Sequence, residues 1–197
     1  MNKKELAIKL SRLKPLKEYD ISLEQYQTES ELAAEALWLA YLNNDIKGKI
    51  VADFGCGNGI FGCGALILGA SKVYFIDKDE KAFKIANENC KNKKSEFLNI
   101  DISKFNKKID TVIMNPPFGV QKRKADKIFL ETAMRNSKVI YSIHKIESKK
   151  FIEMLTKENN FTVESIVEVD FLLKKSYEFH KKSKYYVRIG LWVIRKI

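Results

Sequence analysis

The chain has little of what metal and redox chemistry require. Its 197 residues include only three cysteines, two histidines and three prolines. Cys56, Cys63 and Cys90 show no metal-ligand spacing, and an odd number does not suggest a disulfide framework. They read as small buried residues of a reducing compartment, so a cytoplasmic setting is expected. His144 and His180 are too few for a metal site, and no metal is expected. No apolar run is long enough to span a membrane. Met1 to Leu10 carries Lys3, Lys4, Glu5 and Lys9 and lacks the apolar centre of a secretory signal. No internal repeat, linker or low-complexity segment stands out. The length suits one domain with a full core over residues 1–197. Within it, a helical extension over residues 1–45 precedes an α/β core over residues 46–197.

Acidic residues are the other shortage: 25 Asp and Glu against 36 Lys and Arg give a formal net charge of +11. That is a statement about partners, and a polyanion, nucleic acid first, is the expected one. An acidic membrane surface comes second, and no apolar insertion element supports it.

Strand and helix patterns alternate along most of the chain. Residues 2–13, with Leu6, Ile8, Leu10 and Leu13, read as a short amphipathic helix ended by Pro15. It either packs on the main body or reaches for a substrate. A stronger helix follows over 29–42, with Thr28 and Glu31 at capping-box spacing. Strands are expected at 49–54, 72–77, 97–101, 110–114, 138–144, 161–173 and 185–197, with a helix from the glycine turn through about Leu68 and helices at 79–92, 125–135 and 146–158 between them. Ile128, Phe129 and Ala133 should point inward from the helix at 125–135. Val187, Ile189, Leu191, Val193 and Ile197 should share one face of the last strand. The expected fold is a mainly parallel seven-stranded sheet with an antiparallel terminal strand and helices on both faces.

The first core strand ends in Asp53-Phe54-Gly55-Cys56-Gly57-Asn58-Gly59. Its glycines allow positive φ and close approach of a ligand. The pattern is not the Gly-x-Gly-x-x-Gly of dinucleotide binding, and it lacks the Lys-Ser/Thr of a phosphate loop. Asp77 ends the next strand, where an acid can accept both hydroxyls of a ribose. Asp101 ends the third, placed to accept from an adenine amino group. Each acid alone reads equally well as a cap or turn residue; the joint pattern is the specific signal.

The most informative stretch is Asp110-Thr111-Val112-Ile113-Met114-Asn115-Pro116-Pro117-Phe118-Gly119. A buried strand is stopped by two prolines, neither of which can donate a backbone hydrogen bond, and Pro116 forces Asn115 to be extended. A carboxamide and a ring thus sit on a stiff turn at the carboxyl end of a strand, where open α/β sheets bind ligands. The arrangement suits methyl transfer to an exocyclic amine. Such an amine is a poor nucleophile because its lone pair is delocalised into the ring. The Asn115 side-chain oxygen and the Pro116 carbonyl can accept from the NH2 group and favour a pyramidal nitrogen. Phe118 can stack on the base, a contact worth roughly 1–3 kcal/mol. Beside this turn lies the basic run Lys122, Arg123 and Lys124. Farther on, Lys174, Lys175, Phe179, His180, Lys181, Lys182 and Lys184 interleave charges for phosphates with rings for bases.

At these residues the chain resembles a class I, Rossmann-like, S-adenosylmethionine-dependent methyltransferase of the adenine-N6 type. More narrowly, it resembles the archaeal and eukaryotic family acting on adenine in small-subunit ribosomal RNA. The likeness rests on Leu23-Glu24-Gln25-Tyr26-x-Thr28, on Val51 to Gly57, on Asp110 to Gly119, on Tyr141-Ser142-Ile143-His144-Lys145 and on Tyr177-x-Phe179-His180-Lys181-Lys182. It implies that Gln25 and Thr28 touch the cofactor, that Asp53, Gly55, Gly57, Asn58 and Ile60 line it, and that Asp77 and Asp101 hold its ribose and adenine. Asn115, Pro116, Pro117 and Phe118 hold the target base, with Asn115 also near the cofactor. A small zinc-binding activator protein is implied on an exposed edge strand near Glu96–Ile100. One departure stands out: the family usually follows its Thr with Arg-Pro, and here Glu29-Ser30 stand there.

Two other acceptors fit the same motif: adenine in DNA, or a glutamine amide in a protein. Phe118 leans slightly against the latter, where Tyr is usual, and no segment is left over to serve as a DNA-recognition domain. A catalytically idle RNA-binding or assembly protein is the reading from another class. An intact set of Asp53, Asp77, Asp101 and Asn115 argues against it.

Overall fold

A computed structural model describes residues 1–16, 28–117, 125–174 and 184–197, with backbone alone at 125, 170–174 and 184–187. Short β-branched and aromatic runs form the strands. They are β1 (Ile50–Phe54), β2 (Lys72–Asp77), β3 (Ser95–Asn99), β4 (Thr111–Met114), β5 (Val139–Lys145), β6 (Phe161–Lys174) and β7 (Lys184–Lys196). They make one seven-stranded sheet in the order β3-β2-β1-β4-β5-β7-β6. β1 to β5 pair in parallel, and β7 pairs antiparallel with both β5 and β6. This is the sheet expected from the sequence. The chain leaves β3 at one edge and returns beside β1 as β4, pairing Phe54 with Met114. That reversal opens a crevice at the carboxyl ends of β1 and β4, the place where such sheets receive ligands.

Helices cover both faces. α1 (Lys3–Leu10) starts from a reciprocal cap between Asn2 and Glu5. Its Leu6 and Leu10 are buried with residues of α2 (Ser30–Leu42) and α3 (Ile60–Ile67), so α1 packs on the body of the protein. Ala86 of α4 (Glu80–Asn89) joins the same cluster. On the other face, Leu130, Ala133 and Met134 of α5 (Ala125–Asn136) and Ile152 and Leu155 of α6 (Lys149–Glu158) cluster with Phe54, Val112, Met114 and Ile140. Burial on both faces explains why β1 and β4 read as continuous apolar runs instead of alternating ones.

Several local expectations are corrected. α2 starts at Ser30 with Glu29 as its cap and no side-chain cap bond, so Thr28 and Glu31 form no capping box. β3 stops at Asn99, and Asp101 instead caps a turn of 3-10 helix over Ile102–Lys104. Ile128 is 45% exposed, and Leu130 takes the inward position. β7 is buried on both faces: Trp192 and Ile194 lie in one cluster, while Ile189, Leu191 and Val193 lie in the other. Being last in sequence, it looks like an edge, but its place between β5 and β6 makes it interior. Ile197 lies beyond its end and is exposed. Cys63 and Cys90 form a disulfide with Cα atoms 5.4 Å apart, leaving Cys56 as the buried free thiol. The pairing was hidden by 27 residues of separation, and it removes the cysteine argument for a reducing compartment.

α3 lies against the sheet through two glycines. A Cβ at Gly62 would come within 2.0 Å of the Phe75 ring, and one at Gly64 within 2.3 Å of Leu37. Both neighbours are fully buried and cannot move aside. Gly62→Ala is expected to cost about 1–3 kcal/mol of stability through overpacking, read as a lowered midpoint in denaturant unfolding.

Candidate active site

The turn after β1 is held from behind. Asp53 is buried, and its Oδ2 accepts the Gly62 amide of α3 at 2.8 Å. Its Oδ1 is buried without a hydrogen-bond partner among the described residues. Gly55, Gly57 and Gly59 take φ of +66°, +54° and +84°, which other residues adopt only with strain. The same turn is tied sideways to β2: the amides of Gly55 and Cys56 donate to the Ile76 carbonyl at 2.9 and 3.0 Å. Gly57 N donates to Asp77 Oδ2, and Asp79 N donates to Asp77 Oδ1, each at 2.9 Å. Asn99 Nδ2 then donates to the Asp77 carbonyl at 2.9 Å. A hydrogen-bonded chain therefore links the carboxyl ends of β1, β2 and β3.

The acids on this edge differ electrostatically. Burial is the main cause that lifts the Asp53 carboxyl well above its ordinary range, with the Gly62 amide opposing and Asp77 adding. Burial likewise raises Asp77, against the amides of Asp79 and Gly57. Asp101 lies lower than usual, because the hydroxyl and the amide of Ser103 both donate to it, at 2.6 and 3.0 Å. Asp53 and Asp77 are thus costly carboxylates in need of positive charge, while Asp101 is already stabilised.

Two expected cofactor residues turn their side chains into the protein. Asn58 is buried, with its amide donating to the Lys14 carbonyl at 3.2 Å, and Ile60 lies in the hydrophobic core. At the crevice's other wall, Asn115 follows β4 directly. Its Nδ2 donates to Thr28 Oγ1 at 3.0 Å across 87 residues of sequence. Thr28 is therefore used as a support for Asn115, which is why it does not cap α2. Pro116 is buried and Pro117 partly so. Gln25, Phe118, Lys122, Arg123, Lys124, Lys175, Phe179, His180, Lys181 and Lys182 lie outside the described residues. Lys174 and Lys184 pair across the β6–β7 ladder, so the second basic stretch joins the two strands of a hairpin. His144, near the end of β5, is buried against Ser142 Oγ at 2.7 Å, and burial pushes its pKa down to about 3, so it is neutral.

Comparison with known proteins agrees with this geometry. The methyltransferase small domain matches residues 29–140. An rRNA N(6)-adenosine-methyltransferase of Danio rerio is 35% identical over 96% of both chains. One of Drosophila melanogaster is 31% identical over 87% of this chain and 86% of its own. A Pyrococcus horikoshii protein, provisionally described as an RNA methyltransferase, superposes with a TM-score of 0.93. It is 41% identical over all of this chain and 98% of its own. The glycine turn, the acidic strand ends and the matching domain define a class I methyltransferase. The chain belongs, more narrowly, to the family of the rRNA N(6)-adenosine-methyltransferases.

Because the folded-state pKa of Asp53 is raised, its contribution to stability is fully present below the ordinary carboxylate range and is lost as pH rises through the raised value. Asp53→Asn is therefore expected to stabilise the ligand-free protein at neutral pH by about 1–3 kcal/mol. It should also flatten the fall of melting temperature between acidic and neutral pH.

Proposed function

We propose that the protein transfers a methyl group from S-adenosylmethionine to N6 of an adenine in small-subunit ribosomal RNA. The observation that carries this is Asn115 at the end of β4, its amide nitrogen held by Thr28 and its chain stiffened by Pro116 and Pro117. With the nitrogen end held, the carboxamide presents its oxygen as an acceptor for the target amine, beside the Pro116 carbonyl. Donating to two acceptors draws the amine out of conjugation and turns its lone pair toward the methyl donor. The amine becomes acidic only after methylation, so no strong base is required. Phe118, the residue after Pro117 in sequence, would supply the stacking surface for the base. The base must be unpaired or flipped to arrive there.

The residues present fit the cofactor. It supplies an electrophilic methyl on a cationic sulfonium, beside an ammonium group. Asp53 and Asp77, destabilised as carboxylates by burial, match that positive charge. Gly55 and Gly57 allow close approach at the turn, Asp77 would hold the ribose and Asp101 the adenine. Lys122, Arg123 and Lys124, together with the stretch from Lys174 to Lys184, supply the phosphate contacts that a charge of +11 favours. β3 is an edge strand, and its open backbone offers a seat for a small zinc-binding activator.

Incubation with labelled S-adenosylmethionine and small-subunit RNA, followed by nucleoside analysis, should yield N6-methyladenosine. Label in DNA or in a protein instead would overturn the proposal. Asn115→Ala is expected to lower kcat about a hundredfold or more while S-adenosylmethionine binding persists in calorimetry. Thr28→Val, which removes only the support, should lower kcat by about tenfold under the same assay.

A further inference from the structure

Outside the strand ends, one side chain is bonded to both the N-terminal arm and the glycine turn. Asn89, the last residue of α4, accepts the Lys14 amide at Oδ1 (2.9 Å) and donates from Nδ2 to the Lys14 carbonyl (3.0 Å). The same nitrogen donates to the Asn58 carbonyl at 2.9 Å. Asn58 returns its own amide to the Lys14 carbonyl at 3.2 Å. Three residues far apart in sequence are thereby closed into one ring of hydrogen bonds. Two residues beyond Lys14, Leu16 is buried, and its Cδ1 lies 3.9 Å from where a Cβ on Gly57 would stand. The ring therefore seats an apolar side chain against the middle glycine of the turn.

Its position is fixed from both sides. Cys90, the next residue, is tied by the disulfide to Cys63 of α3. A Cβ on Gly59 would come within 2.9 Å of the Cys90 sulfur, so α4 ends directly against the turn. The ion pair between Lys14 Nζ and Glu88 is exposed and contributes little.

We propose that Asn89 is a positioning residue for the methyl donor. It locks Lys14–Leu16 onto the glycine turn, so that the turn is held ready for the cofactor. The proposal rests on the reading of the protein as an S-adenosylmethionine-dependent enzyme. A carboxamide suits the role because only it offers an acceptor and two donors in one plane. Ordering the turn in advance removes that cost from cofactor binding, so the loss should appear in cofactor affinity. The chemical step, governed by Asn115, is left intact.

The test is calorimetric titration of the full chain with S-adenosylmethionine, alongside kcat and KM on RNA and amide hydrogen exchange at Leu16 and Gly57. Asn89→Ala should raise the cofactor Kd and KM by about tenfold, speed exchange at both amides, and leave kcat at saturating cofactor within about twofold. Asn89→Asp keeps the size and the acceptor but loses both donors. It should weaken binding at least as much, which serves the test where the alanine variant folds poorly. Glu88→Gln, which removes the exposed ion pair with Lys14 and leaves the Asn89 bonds in place, should bind the cofactor as the wild type does. Unchanged cofactor affinity in both Asn89 variants, or an equal loss in Glu88→Gln, overturns the proposal. A fall in kcat with unchanged KM also overturns it. Failure of the wild-type chain itself to bind S-adenosylmethionine overturns the functional reading, and this proposal with it.

Discussion

The bond between the Asp53 carboxylate and the Gly62 amide is the constraint on which the site depends. It joins the end of β1 to the first turns of α3, and everything between them must fold back within that short span. The turn meets this demand with left-handed glycines at positions 55, 57 and 59. α3 meets it by lying close enough to the sheet that Gly62 has no room for a side chain against Phe75. The carboxylate accepts one backbone bond at this point, and among the described residues its other oxygen stays buried without a partner. An apolar residue in its place would avoid the desolvation but could not hold the helix amide. The acid is thus both the brace of the turn and a local excess of negative charge.

That excess is spread along the sheet edge in graded form. Asp53 is the most deeply buried, Asp77 is buried but bonded by the Gly57 and Asp79 amides, and Asp101 is largely solvated and satisfied by Ser103. Desolvation therefore weighs most on the acid of β1 and least on the one beyond β3. The neutral, buried His144 on the far side of β4 adds no competing positive charge.

The sheet and the acids at the ends of β1 and β2 were legible in the sequence because each is written locally. A β-branched run, a glycine turn and an acid at its end lie within a few residues of one another, and two prolines mark the end of β4 without ambiguity. Three things were not legible. Thr28 and Glu31 stand at capping-box spacing, yet the hydroxyl is drawn to Asn115 by a contact spanning 87 residues. Cys63 and Cys90 carry no spacing signal, because only the packing of α3 beside α4 brings them together. β7 comes last in sequence, yet hydrogen bonding inserts it between β5 and β6 and buries both its faces, where one apolar face was expected. In every case the decisive partner is remote, and local pattern names only what a residue is able to do.

The N-terminal segment shows the same logic acting on function. α1 and α2 precede the sheet, yet the chain around them returns to the crevice twice: at Lys14–Leu16 beside the glycine turn and at Thr28 beside Asn115. One contact braces the glycine turn that follows β1, and the other braces Asn115 that follows β4. These two strands are neighbours in the sheet but separated by β2 and β3 in sequence. At the end of the four-residue β4, the Thr28 hydroxyl accepts from the Asn115 side chain and braces it from outside the sheet. The segment before the sheet is therefore part of the framework that holds the crevice. A core beginning at β1 would keep every acid of the strand ends and lose the supports of the glycine turn and of Asn115.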